Sequence, residues 1–524
     1  MVNGYMGKIL TVDLSNKKVE FESPDDSLYA DFMGGYGLGA RILFSRQKGG
    51  IDPLAAESIL GFVTGTLTGT PAFFGLRFMV VGKSPLTNTW GDANSGGDFG
   101  PHLKFAGYDA VFITGISEKP AYLFIDNGKA ELRDARHLWG KDAYDVEDVL
   151  QRELGSDIRV ACIGQAGEKL SRISGVITNK GRAAARSGLG CLMGSKRLKA
   201  VAVRGNQEVP VADRPRVMAL NKQYAEFSNQ VIAGVMQKFG TCGLTTWSVK
   251  TGDAPVKNWG GVGVEDFPDA APISDQAVIN LQDKKYGCWH CPIRCGGHMK
   301  AGAGEYQYVA NVHKPEYETL VSFGSLCLNN NLESIIKLND ICNRYGIDTI
   351  SAGGTIAFAI ECYVNGIISS QDTGGIELTW GNHKAIVTMM EKMADREGFG
   401  DLLADGVKLA AERLGDRARE FAIHIGGQEP PMHDPKEGAH YATTYYVEAT
   451  PGRHTQGHEG LRNIPGSEIP KFDRKSYAGR GKAHKAGVCY NHVLSSAGVC
   501  LIGYMCMDAG ALAQYLSAVR LTAT

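Results

Sequence analysis

The chain has 524 residues, 43% of them hydrophobic and 21% charged, with 55 Lys plus Arg against 56 Asp plus Glu for a formal charge of -1. Such proportions belong to a folded chain of roughly two to four domains and exclude a disordered or fibrous class. The balanced charge also argues against a dedicated binder of nucleic acid or of anionic membranes.

The opening, MVNGYMGKILTVDLS, lacks the basic stretch, apolar run and small-residue cleavage site of a secretory signal. Apolar runs such as Ile59–Phe62 and Ala110–Ile113 are too short to span a bilayer, so a cytoplasmic location is expected. Over residues 1–205, short β-branched runs alternate with glycine-rich turns and predict strands at Lys8–Asp13, Phe78–Val81, Ala110–Thr114, Ala121–Ile125, Arg159–Ile163 and Ala200–Arg204. Tyr144, Val146, Val149 and Leu150 recur at helical spacing and predict a helix from about Asp142 to Leu154. The rest of this half reads as turns and strands. Glycines gather at GGYGLG (34–39), GDANSGGDFG (91–100) and GLGCLMG (188–194). Glycine lets backbone come close to a ligand, so these clusters point to a domain wrapped around something large, with tight hairpins as the plain alternative.

After VPVADRP (209–215), which suits a linker, the pattern turns helical. Apolar residues at i, i+3 and i+4 predict helices over Arg216–Lys238, Ser274–Asp283, Leu332–Tyr345, Lys384–Arg396 and Asp401–Arg413. A second break falls near Arg417–Ile425, and no repeat of fixed period is visible. The expectation is an α+β protein: a β-rich domain at 1–208, a mainly helical domain at 209–417, and a mainly helical domain at 418–524 that looks shortened at its C-terminal end.

Twelve cysteines are scattered along the chain except in CWHCPIRC, where Cys288, Cys291 and Cys295 make Cys-x2-Cys-x3-Cys. A chain of this length does not need disulfides, so reduced thiols or metal ligands are the better reading. Zinc sites generally pair this motif with a second Cys or His pair, which is missing here. Cubane clusters take three close cysteines and a distant fourth, so a [4Fe-4S] cluster is preferred over zinc or buried free thiols. Radical S-adenosylmethionine sites space their cysteines in the reverse order. Candidates for the fourth ligand are Cys489, Cys500 and Cys506, and the small residues of SSAGVC (495–500) favour Cys500.

These features occur together with GYMGKILTVDLS, GGYGLGARIL (34–43), KSPLTNTWGDANSGGDFGPHLKFAGYDA (83–110), GRAAARSGLGCLMGSKRLKA (181–200), KPEYETL (314–320), CNRYGIDTISAG (342–353), HDPK (433–436) and ATPGRH (449–454). In content and order they resemble the tungsten-dependent aldehyde:ferredoxin oxidoreductase family across essentially the whole chain. The resemblance implies tungsten, or molybdenum, held by the dithiolenes of two pyranopterins bridged by Mg2+, beside a [4Fe-4S] cluster. It implies pterin contacts at Arg77, Asn94, Gly96, Arg182, Ala183 and Asp348, with Arg186 nearby, and at Ser495, Gly498 and Val499. It also implies cluster ligation by Cys288, Cys291, Cys295 and Cys500. Oxidation of an aldehyde would use a carboxylate base, Glu316 or Glu318 of KPEYETL, and His454 of ATPGRH as polarising or proton-shuttling group.

Taken alone, Arg77 and Arg182 read as surface cations, Asp348 as a helix N-cap, and His433–Asp434 of HDPK as the start of a turn. Ser495 stands where such relatives carry Asp, which removes a charge from the contact with the second pterin. Implied partners are ferredoxin or an iron–sulfur electron-transfer subunit and a small aldehyde, in a homo- or hetero-oligomer. Two other readings stay open: the catalytic subunit of a tungsten-type benzoyl-CoA reductase, and a truncated, non-catalytic metal-binding relative.

Overall fold

A computed structural model describes residues 2–225, 231–457, 476–508 and 510–520. Twelve strands form two six-stranded mixed sheets. The first contains β1 (Ile9–Asp13), β2 (Lys18–Glu22), β3 (Leu60–Thr64), β4 (Phe78–Lys83), β5 (Trp90–Ser95) and β6 (Ala110–Thr114) in the order β2-β1-β6-β3-β4-β5. The second contains β7 (Ala121–Asp126), β8 (Lys129–Asp134), β9 (Arg159–Cys162), β10 (Val176–Thr178), β11 (Arg182–Ala184) and β12 (Leu198–Arg204) in the order β11-β10-β9-β12-β7-β8. Each sheet has one parallel pair, β1 with β6 and β7 with β12, and every other pairing is antiparallel. Read from the opposite edge, the second order repeats the first. The β-rich half is therefore a topological duplication that leaves no fixed-period trace in the sequence.

The sheets are joined by one apolar core. Leu60, Phe62, Phe78 and Val80 of the first share it with Leu123, Val176, Val201 and Val203 of the second, and with Phe99, Leu103, Leu189 and Leu192 from the helices Phe99–Phe105 and Leu189–Ser195. Strands covered on both faces carry unbroken apolar runs instead of alternation. That explains why LGFVT (60–64) is wholly buried and FMVVGK (78–83) nearly so. The helices Asp26–Phe32 and Gly35–Arg46 cover the outer face of the first sheet, and Ala143–Leu154 covers that of the second.

Four of these helices, and the short helix Gln165–Glu168, thus occupy stretches of this half expected to be turns or strands. The run GGYGLG is not a ligand loop but the start of Gly35–Arg46. Its glycines serve close packing: a Cβ on Gly35, at φ +46°, would lie 2.3 Å from the Ser495 carbonyl oxygen of the helix Arg480–Ala497. Helical spacing cannot reveal such an element, because its buried contact surface is backbone and not an apolar stripe.

Beyond residue 209 the structure is mainly helical. Leu332–Tyr345 coincides with its expected range, between an Asn331 side-chain cap and a left-handed Gly346. The segment Asp401–Arg413 is broken into Phe399–Leu403 and Val407–Leu414 at Gly406, whose φ is +88°. The expected helix Arg216–Lys238 corresponds to Arg214–Tyr224 and Val231–Lys238, and its middle lies outside the described residues. Val217, Leu220, Tyr224 and Met236 share a core with Leu494, Tyr504, Leu512, Tyr515 and Val519, so this early helical stretch packs with the C-terminal one. A larger helical core is built around Leu320, Val321, Ile335, Ile356 and Met390. Among the described residues, no helix is long and apolar enough to cross a membrane.

Candidate functional site

The two sheets, the thiol-bearing hairpin and both helical cores converge on one cavity of about 1250 Å³. The hairpin pairs Gln282–Tyr286 with Gly296–Met299, and its loop carries Cys288, Cys291 and Cys295. His290 and Arg294 adopt left-handed φ values of 44° and 53° beside these thiols, which turns the loop back on itself. Cys500, at the N-cap of the short helix Leu501–Met505, lines the same cavity, so all four expected thiols face one space. Burial pushes Cys291 up to about 12 and Cys295 up to about 11, the neighbouring thiols contributing. Burial also opposes ionisation of Cys500, but the adjacent Arg77 guanidinium outweighs it and holds that thiol below its ordinary value. Arg77 Nη2 donates to Cys500 Sγ at 3.3 Å and Nη1 to Asn94 Oδ1 at 3.1 Å. Gly96 is packed so closely that an added Cβ would lie 3.1 Å from Cys288 Sγ.

Several polar side-chain atoms in and behind the cavity walls are buried and unmet by protein. Arg77 Nε, Arg182 Nε and Nη2, Thr178 Oγ1 and His313 Nε2 are buried without a hydrogen-bond partner. Arg182 faces Glu316 at 3.5 Å and lies over the Tyr286 ring, 4.9 Å from its centroid. Arg186 Nη1 donates to Asp348 Oδ2 at 2.8 Å, while Asp348 Oδ1 accepts from the backbone of Ile350 and caps the helix Thr349–Val364. Asp348 therefore fills the capping role its sequence suggests and also lines the cavity.

The two candidate glutamates point to different neighbours. Glu316, the N-cap of the helix Tyr317–Phe323, accepts from Thr241 and faces Arg182. Burial pushes its carboxyl up, but His313, Arg182, Lys314 and the Thr241 hydroxyl together hold it below its ordinary value. Burial and Arg182 hold the His313 ring down to about 3, so at neutral pH the cations that act on Glu316 are Arg182 and Lys314. Glu318, in the first turn of that helix, accepts from Met432 N–H at 2.8 Å through Oε2. Its Oε1 faces His454 Nε2 at 3.5 Å and His433 Nε2 at 3.6 Å. Burial raises the Glu318 carboxyl above its ordinary value despite His433, Met432 N–H and Arg186, with Asp348 adding to the rise.

His454 is aimed by its own segment. Arg453 pairs with Asp92 of β5 at 2.9 Å and donates to Tyr36 Oη at 3.2 Å, and Thr450 Oγ1 donates to Asp92 Oδ2 at 2.8 Å. These bonds lash ATPGRH to the first sheet, and His454 follows from that anchorage.

Of the residues singled out from sequence, Arg77, Gly96, Arg182, Ala183, Glu316, Glu318, Asp348, His454 and the four cysteines line the cavity. Asn94 is not among its lining residues and instead holds Arg77. Ser495, Gly498 and Val499 lie behind the wall. The Ser495 carbonyl abuts Gly35, Gly498 accepts from Arg77 N–H at 2.9 Å, and Val499 bridges to Gly75. They place Cys500 instead of facing the space it faces. Sequence reasoning passed over Asp253, Thr241, His313 and Tyr441, and it left His433 as a possible turn residue. HDPK was the only visible signal for His433, and Asp253 in TGDAP carries none.

Comparison with known proteins gives these features a common origin. The family model "aldehyde ferredoxin oxidoreductase, N-terminal domain" matches residues 9–205, and "aldehyde ferredoxin oxidoreductase, domains 2 & 3" matches 218–522. The tungsten-containing aldehyde ferredoxin oxidoreductase of Pyrococcus furiosus is 38% identical over 449 residues, covering 84% of this chain and 73% of the relative. The protein of the same name from Thermococcus kodakarensis is 37% identical over the same shares. An aliphatic sulfonate oxidoreductase, WOR-like subunit, of Pyrococcus furiosus is 31% identical over 86% of this chain and 75% of its own length. The fold superposes on the active site complex BamBC of benzoyl coenzyme A reductase in complex with 1,5-dienoyl-CoA with a TM-score of 0.83, at 24% identity, covering 100% of this chain and 86% of that one. With both family models matched across nearly its full length, this chain belongs to the aldehyde ferredoxin oxidoreductase family.

Proposed function

We propose that this protein is a tungsten, or molybdenum, bis-pyranopterin oxidoreductase that converts aldehydes to carboxylic acids and passes the electrons through a [4Fe-4S] cluster to ferredoxin. The observation that carries the reading is that four thiols, two arginines with unpaired buried nitrogens and the Glu318–His454 pair line one cavity. The residues fit the implied groups. Four soft thiol donors from one loop and one distant position suit a cubane cluster. The unmet nitrogens of Arg77 and Arg182 would suit the phosphates and polar edges of the pterins, with Mg2+ as the expected counter-ion. The bound cofactor would supply two-electron redox chemistry at its metal.

The protein's own part is to bind, orient and move protons. Glu318, raised by burial yet flanked by two imidazoles, is placed to accept a proton from the reacting aldehyde and water. His454 Nε2 is placed to polarise the carbonyl or to exchange a proton with Glu318. Glu316 is engaged with Arg182 and Thr241, a supporting role on the cluster side, so Glu318 is the assigned base. The benzoyl-CoA reductase alternative calls for a further protein thiolate at the metal. Among the described residues, the cysteines that line the cavity are Cys288, Cys291, Cys295 and Cys500, all four already assigned to the cluster, which favours aldehyde oxidation. Elemental analysis of anaerobically purified enzyme tests the cofactor assignment: near-stoichiometric tungsten or molybdenum with about four irons per chain supports it. Zinc alone overturns it.

A further inference from the structure

Oxidising an aldehyde with water to a carboxylic acid releases two electrons and two protons. The electrons leave to the iron–sulfur acceptor protein, but both protons must first be taken up at the site. Glu318 accounts for one. The structure holds a second base next to it, supported from behind by a carboxylate. His433 Nδ1 lies 2.9 Å from Asp253 Oδ2, and Asp253 is 1% exposed. The same Asp253 oxygen accepts from Ser248 Oγ at 2.8 Å, and Asp434 N–H donates to the Asp253 carbonyl at 2.6 Å, so the carboxylate is held in place.

The His433 ring is stacked between Tyr317 and Tyr441, with centroids 5.0 Å and 4.9 Å away. An anionic acceptor at Nδ1 fixes that nitrogen as the N–H, which turns Nε2 toward Glu318 Oε1. Nε2 and a carboxylate oxygen 3.6 Å apart are two acceptors facing each other unless a proton lies between them. Asp253 behind the ring and two aromatic faces beside it favour imidazolium once that proton moves onto His433.

We propose that Asp253 and His433 form a relay dyad: Glu318 takes a proton from the reacting centre and hands it to His433 Nε2, and Asp253 stabilises the resulting imidazolium, freeing Glu318 for the second proton. In this step an O–H bond of Glu318 breaks and an N–H bond of His433 forms, with no change in electron count. Asp253 is a positioning residue and acts only through His433. Among the described residues, the groups facing the pair include Asp253, Glu318, His454, Tyr317 and Tyr441 around His433, with Arg186 and Asp348 acting on Glu318. The inference rests on the aldehyde-oxidising reading.

Its test compares holoenzyme carrying Asp253→Asn, which keeps the shape and an oxygen acceptor but removes the charge, with His433→Asn and with the parent protein. Infrared pH titration of ring-labelled histidine, taken as parent minus His433→Asn, isolates the His433 ring without requiring turnover. The midpoint of that ring is expected to fall by about one pH unit or more in Asp253→Asn. Its kcat is expected to fall about tenfold to a hundredfold, with KM for aldehyde within about threefold and metal content unchanged. Unchanged titration in Asp253→Asn, or unchanged kcat in His433→Asn at full metal content, overturns the relay. If His433→Asn does not fold, ring-deuterated histidine in Asp253→Asn and its pH–rate profile decide the matter alone. A parent enzyme that carries its metals but oxidises no aldehyde defeats the functional reading, whereas a shifted His433 midpoint would still establish the dyad.

Discussion

Replacing Glu318 by Gln separates the two carboxylates of KPEYETL. The amide is isosteric, and its oxygen can still accept the Met432 N–H bond, so the helix Tyr317–Phe323 and the packing of HDPK should persist. What is lost is the carboxylate 3.5 Å from His454 and 3.6 Å from His433, the proposed proton acceptor. A general base contributes about a hundredfold to ten-thousandfold, equivalent to roughly 3–5 kcal/mol of barrier. Because Gln keeps the Met432 bond and the shape of the side chain, the loss should appear in kcat with KM little changed. Burial holds this carboxyl above its ordinary range, so the parent enzyme should lose kcat as pH falls through that raised value. The acid limb should vanish in Glu318→Gln. The assay is anaerobic benzyl viologen reduction by aldehyde across a pH series, with tungsten and iron measured on the same samples. Glu316→Gln, which disturbs Arg182 and Thr241, should instead lower cofactor retention. A Glu318→Gln enzyme within about tenfold of the parent, or a Glu316→Gln enzyme that loses the acid limb at full metal content, would refute the assignment.

Other predictions follow from specific contacts. Gly35→Ala would put a Cβ 2.3 Å from the Ser495 carbonyl oxygen at a positive φ, so it should cost about 1–3 kcal/mol and speed thermal inactivation. Glu147 is 7% exposed and burial raises its carboxyl to about 7. Its protonated form is the one the fold favours, so its contribution to stability is present below its ordinary value of 4.5 and is lost as pH rises through about 7. Denaturant midpoints should therefore show Glu147→Gln stabilising at pH 8, by about 2–3 kcal/mol at most, and near neutral at acid pH. The hairpin that carries the three-thiol loop exposes Lys284, Lys285, Arg294 and Lys300 against Asp283. Lys284→Glu with Lys300→Glu should raise KM for ferredoxin severalfold at low salt and leave viologen reduction unchanged.

The sequence carried the chemistry of the site further than its geometry. Cys288, Cys291 and Cys295 can be grouped from sequence because their spacing is local, and Cys500 joins them because small residues lead to it; the fold brings all four to one cavity. The split between Glu316 and Glu318 was not legible, since two glutamates two residues apart differ only in which loops reach them: Thr241 and Arg182 for one, HDPK and ATPGRH for the other. His433 gained meaning only when Asp253, 180 residues earlier in the chain, was found beside it. In the fold, β1, β6 and the helix Leu332–Tyr345 follow from local pattern. The helix Gly35–Arg46 was hidden by glycines that pack backbone on backbone, and the duplicated sheets by strands buried on both faces. Ser495, Gly498 and Val499 are not among the lining residues and flank the path of the chain into Cys500.

The central claim is tested most directly by the products of a single anaerobic reaction of metal-loaded enzyme with an aldehyde and excess viologen. An aldehyde oxidoreductase should form one carboxylate and reduce two viologens for each aldehyde consumed, at a rate that scales with tungsten or molybdenum content. Enzyme with full metal loading that consumes no aldehyde would contradict it.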